Sequence, residues 1–417
     1  MRLTATPLLI AVTAISTATV LAEIPASSWA STGSLSLIAG VAALAMMGMA
    51  ATLASRWHWL EGIFGGLDRI YEVHKWLGVW ALALASFHLV FKAGGEGWQV
   101  ASILPLPPYW TRLLRQLSYV ALVGIVLLAL NRNIPYGVWR WWHKLSGPAF
   151  VIVVLHWLSF RSPIALASPA GLWLAACAVL GLAGAAYKLL LYRFVSPHAE
   201  YELQRVEAGP SSVVLEMRPL GPGLDVRPGQ FGFLRLLHPG LREPHPFTLA
   251  GTAAEGDLVR FIIRASGDYT SRLVAEARPG MRAEIHGPFG RFRRPGGAGP
   301  ELWIAGGVGL APFVAWLEDP AGKDFHQVTL LNCQAPGREP PGTDEVMQRA
   351  RAMGVDWLNV PDPGSPSFHQ RFAELARHPD LQISVCGPPG LLARVRQDMA
   401  RHAIPKSRLH YERFQFR

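Results

Sequence analysis

Six long apolar stretches crowd the first half of this chain, at residues 7–21, 35–54, 71–91, 114–130, 145–160 and 171–192. Backbone placed in hydrocarbon must satisfy its own hydrogen bonds, so runs of this kind fold as helices crossing a bilayer. About 20 helical residues span the bilayer core, and the shorter runs reach that length only with their flanks. Twelve of the fifteen tryptophans lie in the same half. So does the charge imbalance: up to Arg193, 13 Lys and Arg stand against 5 Asp and Glu, whereas the remainder carries 26 against 24. A basic excess confined to the apolar half marks loops that pin spans on the cytoplasmic side, and argues against a nucleic-acid-binding face. The expected partner is the lipid bilayer, with no nucleic acid.

Two readings stand for residues 1–22. Arg2, an apolar run and small residues ending near Ala22 resemble a signal peptide; a first span gives the even number that suits the rest of the chain. Six spans with the N-terminus inside place Arg56, Arg69, Arg132, Arg140, Lys144, Lys188 and Arg193 in the cytoplasm. Lys92, Arg112, Arg115 and Arg161 then fall on the outer side, against the charge rule. Tryptophans 57, 59, 139, 141 and 142 would form the inner interfacial belt.

After Pro197 the texture changes to short alternating segments with Gly and Pro between them. Residues 201–205, 212–218, 231–236 and 258–264 are expected as strands of an antiparallel barrel. Residues 293–300 (RRPGGAGP) are expected as a linker. Beyond it, strands at 301–304, 328–331 and 383–386 alternate with helices at 312–317, 344–353 and 390–402, the pattern of a parallel α/β sheet that binds nucleotides. Three scattered cysteines, Cys177, Cys333 and Cys386, suit neither a disulfide framework nor a thiolate metal site.

Ionisable side chains inside a bilayer are costly and mark function. Four histidines stand out: His74 and His88 in the third stretch, His143 and His156 around the fifth. Fourteen residues advance a helix by about 21 Å and turn it nearly four times, so His74 and His88 point the same way at two depths. Two helices each offering an imidazole at both depths make two bis-histidine haem sandwiches. Ligands on both faces leave the iron no open position, so such a haem passes electrons. The thirteen residues between His143 and His156 fall about 140° short of four turns. Gly147-Pro148 lies between them, and a proline kink is the expected remedy.

The spacings of fourteen and thirteen on the third and fifth spans resemble those of the bacterial NADPH oxidase and ferric reductase superfamily. That resemblance implies His74 paired with His143 on an inner haem b, and His88 with His156 on an outer one. The soluble half is similar too. His245-Pro246-Phe247-Thr248 is similar to the family's HPFT flavin motif, with Thr248 donating a hydrogen bond. Gly267-Asp268-Tyr269-Thr270 resembles its GDxT turn, where a helix start would offer N–H groups to a diphosphate and so favour FAD. Gly306-Gly307-Val308-Gly309-Leu310-Ala311-Pro312 follows a strand and opens a helix, as a pyrophosphate loop does. Cys386-Gly387-Pro388 is similar to the nicotinamide-side motif of the ferredoxin-reductase fold, and Phe416, with Phe414 second, would cover the flavin. After the strand at 328–331 no acid stands ready for a ribose, and Arg338 would meet a 2′-phosphate, so NADPH is expected to serve at least as well as NADH.

The implied division is a six-helix transmembrane haem domain (residues 1–195), an antiparallel FAD-binding β-barrel (196–296) and an NAD(P)-binding α/β domain (297–417). The implied activity carries electrons from NAD(P)H through FAD and two haems to an acceptor outside. The implied location is a bacterial-type inner or plasma membrane with the soluble domains in the cytoplasm. Two small-molecule acceptors compete, dioxygen giving superoxide and a ferric chelate. Lys92, one turn beyond His88, would favour a developing superoxide. The outer loops hold only Glu23 and Glu96 as acids, which suits a ferric chelate less well. A third reading is an electron-transfer subunit feeding a partner; no obligatory protein partner is expected.

Overall fold

A computed structural model describes residues 3–131, 133–252, 258–296, 299–319 and 324–412. The chain divides between Val195 and Ser196 into two compact units.

The first unit is helical: α1 (Ala5–Leu21), α2 (Thr32–Ala54), α3 (His58–Phe64), α4 (Leu67–Val90), α5 (Pro108–Leu130), α6 (Tyr136–His143), α7 (Ser146–Ser159), α8 (Pro169–Ala186), then a π turn and a last short turn, α9 (Tyr192–Val195). Among the described residues four helices are long and apolar enough to cross a membrane: α2, α4, α5 and the run Pro169–Val195. Of the other expected spans, α1 has 17 residues and α7 only 14. The fifth stretch forms α7, and His143 stands before it at the end of α6. A two-residue turn at Lys144 and Leu145 separates the two helices, and Pro148 sits in the first turn of α7, where its missing N–H costs nothing. Large apolar side chains such as Val90, Val120, Val179, Leu190 and Phe194 are exposed, as lipid-facing residues are.

α2 is the hub of this unit, buried along most of its length. Small residues let its neighbours approach closely: a Cβ on Gly181 of α8 would fall 2.8 Å from Gly48 Cα, and one on Gly184 3.0 Å from Ala51 O.

The second unit opens with a closed six-stranded antiparallel barrel in the order β1-β2-β5-β4-β3-β6, made of β1 (His198–Ala208), β2 (Ser212–Pro219), β3 (Phe231–Leu236), β4 (His245–Thr252), β5 (Val259–Arg264) and β6 (Arg282–Phe289), with α10 (Asp268–Glu276) between β5 and β6. Alternate residues, among them Tyr201, Leu203, Leu215, Phe261 and Ile285, fill its interior as the period of a strand requires.

A parallel sheet follows, ordered β11-β10-β7-β8-β9: β7 (Glu301–Gly306), β8 (Val328–Cys333), β9 (Asp356–Val360), β10 (Gln382–Cys386) and β11 (Leu409–Glu412). Helices α11 (Ala311–Leu317), α12 (Thr343–Ala352), α13 (Pro366–Leu375) and α14 (Pro389–Arg401) connect its strands. Trp303 and Leu330 pack on one face with Phe313, Trp316 and Ala350. Ile304, Leu331 and Ile383 pack on the other with Phe368, Phe372 and Val395. Burial on both faces explains why β8 reads as an unbroken apolar run.

Barrel and sheet share a seam: Val214 and Ile262, on the barrel's outer face, join the cluster around Trp303 and Trp316. Arg260 ties the seam by donating to Glu216 at 3.0 Å and to Glu318 at 2.7 Å.

A buried polar cluster stands where the barrel begins. Ser196 Oγ hydrogen-bonds His286 Nδ1 at 2.8 Å, His286 Nε2 meets Glu284 Oε1, and Arg235 Nη2 donates to Glu284 Oε2 at 2.7 Å. Burial alone would raise the Glu284 pKa from its ordinary 4.5. His286 and Arg235 outweigh burial and bring it down to about 2. A depressed carboxyl stabilises the fold above its unfolded pKa, and that contribution is lost as pH falls from about 4.5 to about 2. Glu284→Gln should therefore destabilise the second unit by about 1–3 kcal/mol at neutral pH. It should also flatten the acid limb of stability, read by urea unfolding at several pH values. An unchanged acid limb would assign the acid sensitivity to other carboxyls.

Candidate functional site

In the first unit, α4 carries His74 and His88 and the broken α6–α7 segment carries His143 and His156. All four are half-buried. The rings of His74 and His143 stand 6.0 Å apart, centroid to centroid, at 79°. Two metal–imidazole bonds of about 2 Å each, extended by the two ring radii, span close to that separation. Trp139 stacks on His143 at 5.2 Å. At the other level the ring of His156 lies 5.5 Å from that of Phe160.

The two sides of each pair are held differently. His74 Nδ1 donates to Ala50 O and His88 Nδ1 to Ser36 O, each at 2.8 Å, which leaves the lone pair on Nε2. His143 Nδ1 and His156 Nδ1 are buried with no hydrogen-bond partner among the described residues. No group of three or more His, Cys, Asp and Glu gathers as a metal site among those residues; the four histidines come in twos. Lys92 is exposed in the loop after α4.

In the second unit the HPFT residues open β4, paired with β3 through His245↔Leu234, Pro246↔Phe233, Phe247↔Gly232 and Thr248↔Phe231. The GDYT residues start α10 and meet them: the rings of His245 and Tyr269 stack at 3.8 Å and 12°. The expected N–H groups at this helix start are largely taken. Ser266 N and Gly267 N donate to Thr270 Oγ1, and Tyr269 N to Asp268 Oδ1. Short side-chain oxygens at a helix start cap it in this way.

The glycine loop at the end of β7 and the Cys386-Gly387-Pro388 turn at the end of β10 lie side by side. A Cβ on Gly309 would overlap the carbonyl oxygen of Cys386, and one on Gly306 would fall 2.8 Å from Pro388 Cδ. Gly307 adopts φ +59°, and the Gln334 and Arg264 side chains lie beside it. Pro312 lies in the first turn of α11. Strand order reverses between β7 and β10, the crevice where open α/β sheets bind ligands.

Cys386 is fully buried beside Glu412, its partner on β11, and burial pushes its thiol well up. Glu412, buried, also accepts a long 3.5 Å bond from Thr248 Oγ1. It thus joins the flavin-motif strand to the end of the sheet, a role that sequence reading missed. Arg338 is exposed on the turn after β8, where Gln334 Nε2 donates to its carbonyl. Phe414 and Phe416 lie outside the described residues.

Residues 39–154 match the family model described as "Ferric reductase like transmembrane component". The chain is 24% identical over 235 residues to the reductase component of propane 2-monooxygenase from Mycolicibacterium smegmatis, covering 51% of this chain and 66% of that one. It is 29% identical over 221 residues to the ferredoxin–NAD(+) reductase component of the alkene monooxygenase system of Xanthobacter autotrophicus, covering 49% and 66%. The chain therefore spans just under two thirds of these relatives. A flavohemoglobin from Malassezia yamatoensis, solved with bound FAD and heme, aligns with a TM-score of 0.53 at 16% identity, over 93% of this chain and 99% of that one. That likeness concerns fold. The chain thus carries a stretch that matches the model of a ferric reductase-like transmembrane component, followed by a second unit similar to the reductase components of oxygenase systems.

Proposed function

We propose that this chain moves electrons from NAD(P)H, through FAD and two b-type haems, across a bacterial-type inner membrane to dioxygen on the outer side, giving superoxide. The observation that carries the reading is the pairing of four histidines at two levels of one helical unit, with His74 and His143 at 6.0 Å. The donor set fits haem: neutral imidazoles whose Nδ1–H is held by a carbonyl keep Nε2 for the metal.

When bound, the flavin and haems supply the change from a two-electron hydride to single-electron transfer. The rest falls to side chains. His245, Pro246, Phe247 and Thr248 would line the flavin edge, with Gly267, Asp268 and Thr270 shaping the turn beside it and Phe416 covering the ring. Gly306, Gly307, Gly309, Pro312, Gly387 and Pro388 would form a floor bare of bulky side chains, against which a dinucleotide can lie. Cys386 stays neutral there and Glu412 accepts the Thr248 hydroxyl. Lys92 would add a cation beside the outer acceptor.

A second reading has its own support: the curated relatives are named as reductase components of oxygenase systems, which favours delivery of electrons to a partner protein. Purified full chain in detergent or nanodiscs separates the two. NADPH consumption with cytochrome c reduction that superoxide dismutase abolishes supports dioxygen. Reduction of an added ferric chelate, insensitive to the dismutase, assigns the chelate instead. Silence towards both, with the flavin reduced by NADPH, favours a protein partner.

Pyridine-haemochrome quantification is expected to give two haems per chain. Ala in place of His74 or His143 should halve that content and remove the inner component, and Ala in place of His88 or His156 should remove the outer. One haem in the unmutated chain would defeat the scheme. For the nucleotide, Arg338→Ala should raise KM for NADPH by roughly tenfold, the loss of one charge-assisted phosphate contact, and leave NADH unchanged. Equal effects on both would remove Arg338 from the site.

A further inference from the structure

The two histidines of α4 are both held by one neighbouring helix. Ala50 and Ser36, the carbonyl partners of His74 and His88, are fourteen residues apart on α2, as the histidines are on α4, in the opposite direction. The antiparallel packing of α2 on α4 therefore presents an acceptor at each level.

The outer level is built more closely. Ser36 is fully buried, and its Oγ lies 3.2 Å from both His88 Nδ1 and His88 O. The hydroxyl donates to that carbonyl and turns its lone pair toward the ring N–H. One turn along α2 stands Gly40. A Cβ there would fall 2.8 Å from His88 Nδ1 and 3.0 Å from Cε1. The ring reaches the Ser36 carbonyl only because position 40 has no side chain. At the inner level the residue four beyond Ala50 is Ala54, which carries a Cβ where the outer level has none.

We propose that Ser36 and Gly40 are positioning residues for the outer haem pair, fixing the plane of His88 and its strength as a donor through the hydrogen bond from Nδ1. The proposal rests on the two-haem reading above. A ligand imidazole whose outer N–H is held by an acceptor is more basic and favours the oxidised metal. His156, whose Nδ1 has no partner among the described residues, lacks this help. The outer potential is thus set from the α2 side.

The test uses full-length protein in nanodiscs, with haem content, an optical redox titration and EPR of the oxidised state as readouts. Ser36→Ala should raise the midpoint of one haem component and alter its EPR signal, leaving the other unmoved. Gly40→Ala should displace or abolish that same component. Gly221→Ala, in the second unit after β2 where a Cβ meets nothing within 4 Å, is the control and should leave both components as they are. If Gly40→Ala does not fold, Ser36→Ala decides alone. Two haems in the parent with both midpoints unmoved in Ser36→Ala, or both shifted together, would overturn the inference while the two-haem reading stands. Fewer than two haems in the parent would overturn both.

Discussion

A neutral imidazole inside a membrane bundle has one nitrogen that must give a hydrogen and one that must accept something, and lipid offers neither. The arrangement of the first unit follows from that need. α2 lends two helical carbonyls, with the Ser36 hydroxyl beside one of them, without a single charged residue. This requires α2 to lie against α4 along its length. Gly48, Gly181 and Gly184 draw α8 in on another side, so the helix that lends the carbonyls is also held in place. Small residues here have the function that larger ones have in a soluble core: they fix a distance.

The second unit meets a different requirement, bringing three backbone ends to one place. The glycine loop after β7, the Cys386 turn after β10 and Glu412 at the end of β11 converge because parallel strands all point their carboxyl ends the same way. Glu412 extends the convergence to the barrel through Thr248, while Arg260 and the shared cluster around Trp303 hold barrel and sheet together at the seam. A buried carboxylate at such a junction is costly unless donors surround it.

Much of this was legible in the sequence, and the parts that were not share a cause. The helical half, the barrel and the parallel sheet announce themselves through apolar runs and alternation. β6 was missed because its Gly287-Pro288 reads as a turn, and β4 because Pro246 argues against a strand; both lie where a missing N–H is tolerated. β9 and α13 are short and carry weak patterns. The expected proline kink takes the form of a two-residue turn at Lys144 and Leu145, just before the first turn of α7 where Pro148 lies. The histidines were visible because their letters are unusual in an apolar run. Their acceptors were not, because a backbone carbonyl has no letter at all. Glu412 escaped for a third reason: its neighbours, Thr248 and Cys386, are distant in sequence and only the fold assembles them.

The break between His143 and His156 has a mechanical meaning. On α4 the two histidines share one continuous helix, so their separation is that of a rigid rod, about 21 Å that no local change can alter. Across from them the corresponding residues ride on two short helices joined at Lys144 and Leu145. One wall is a ruler and the other a jointed arm. The thirteen-residue spacing, short of whole turns on a straight helix, is divided here between two helices, so the rotation from His143 to His156 is set at the turn between them and not by helix pitch alone.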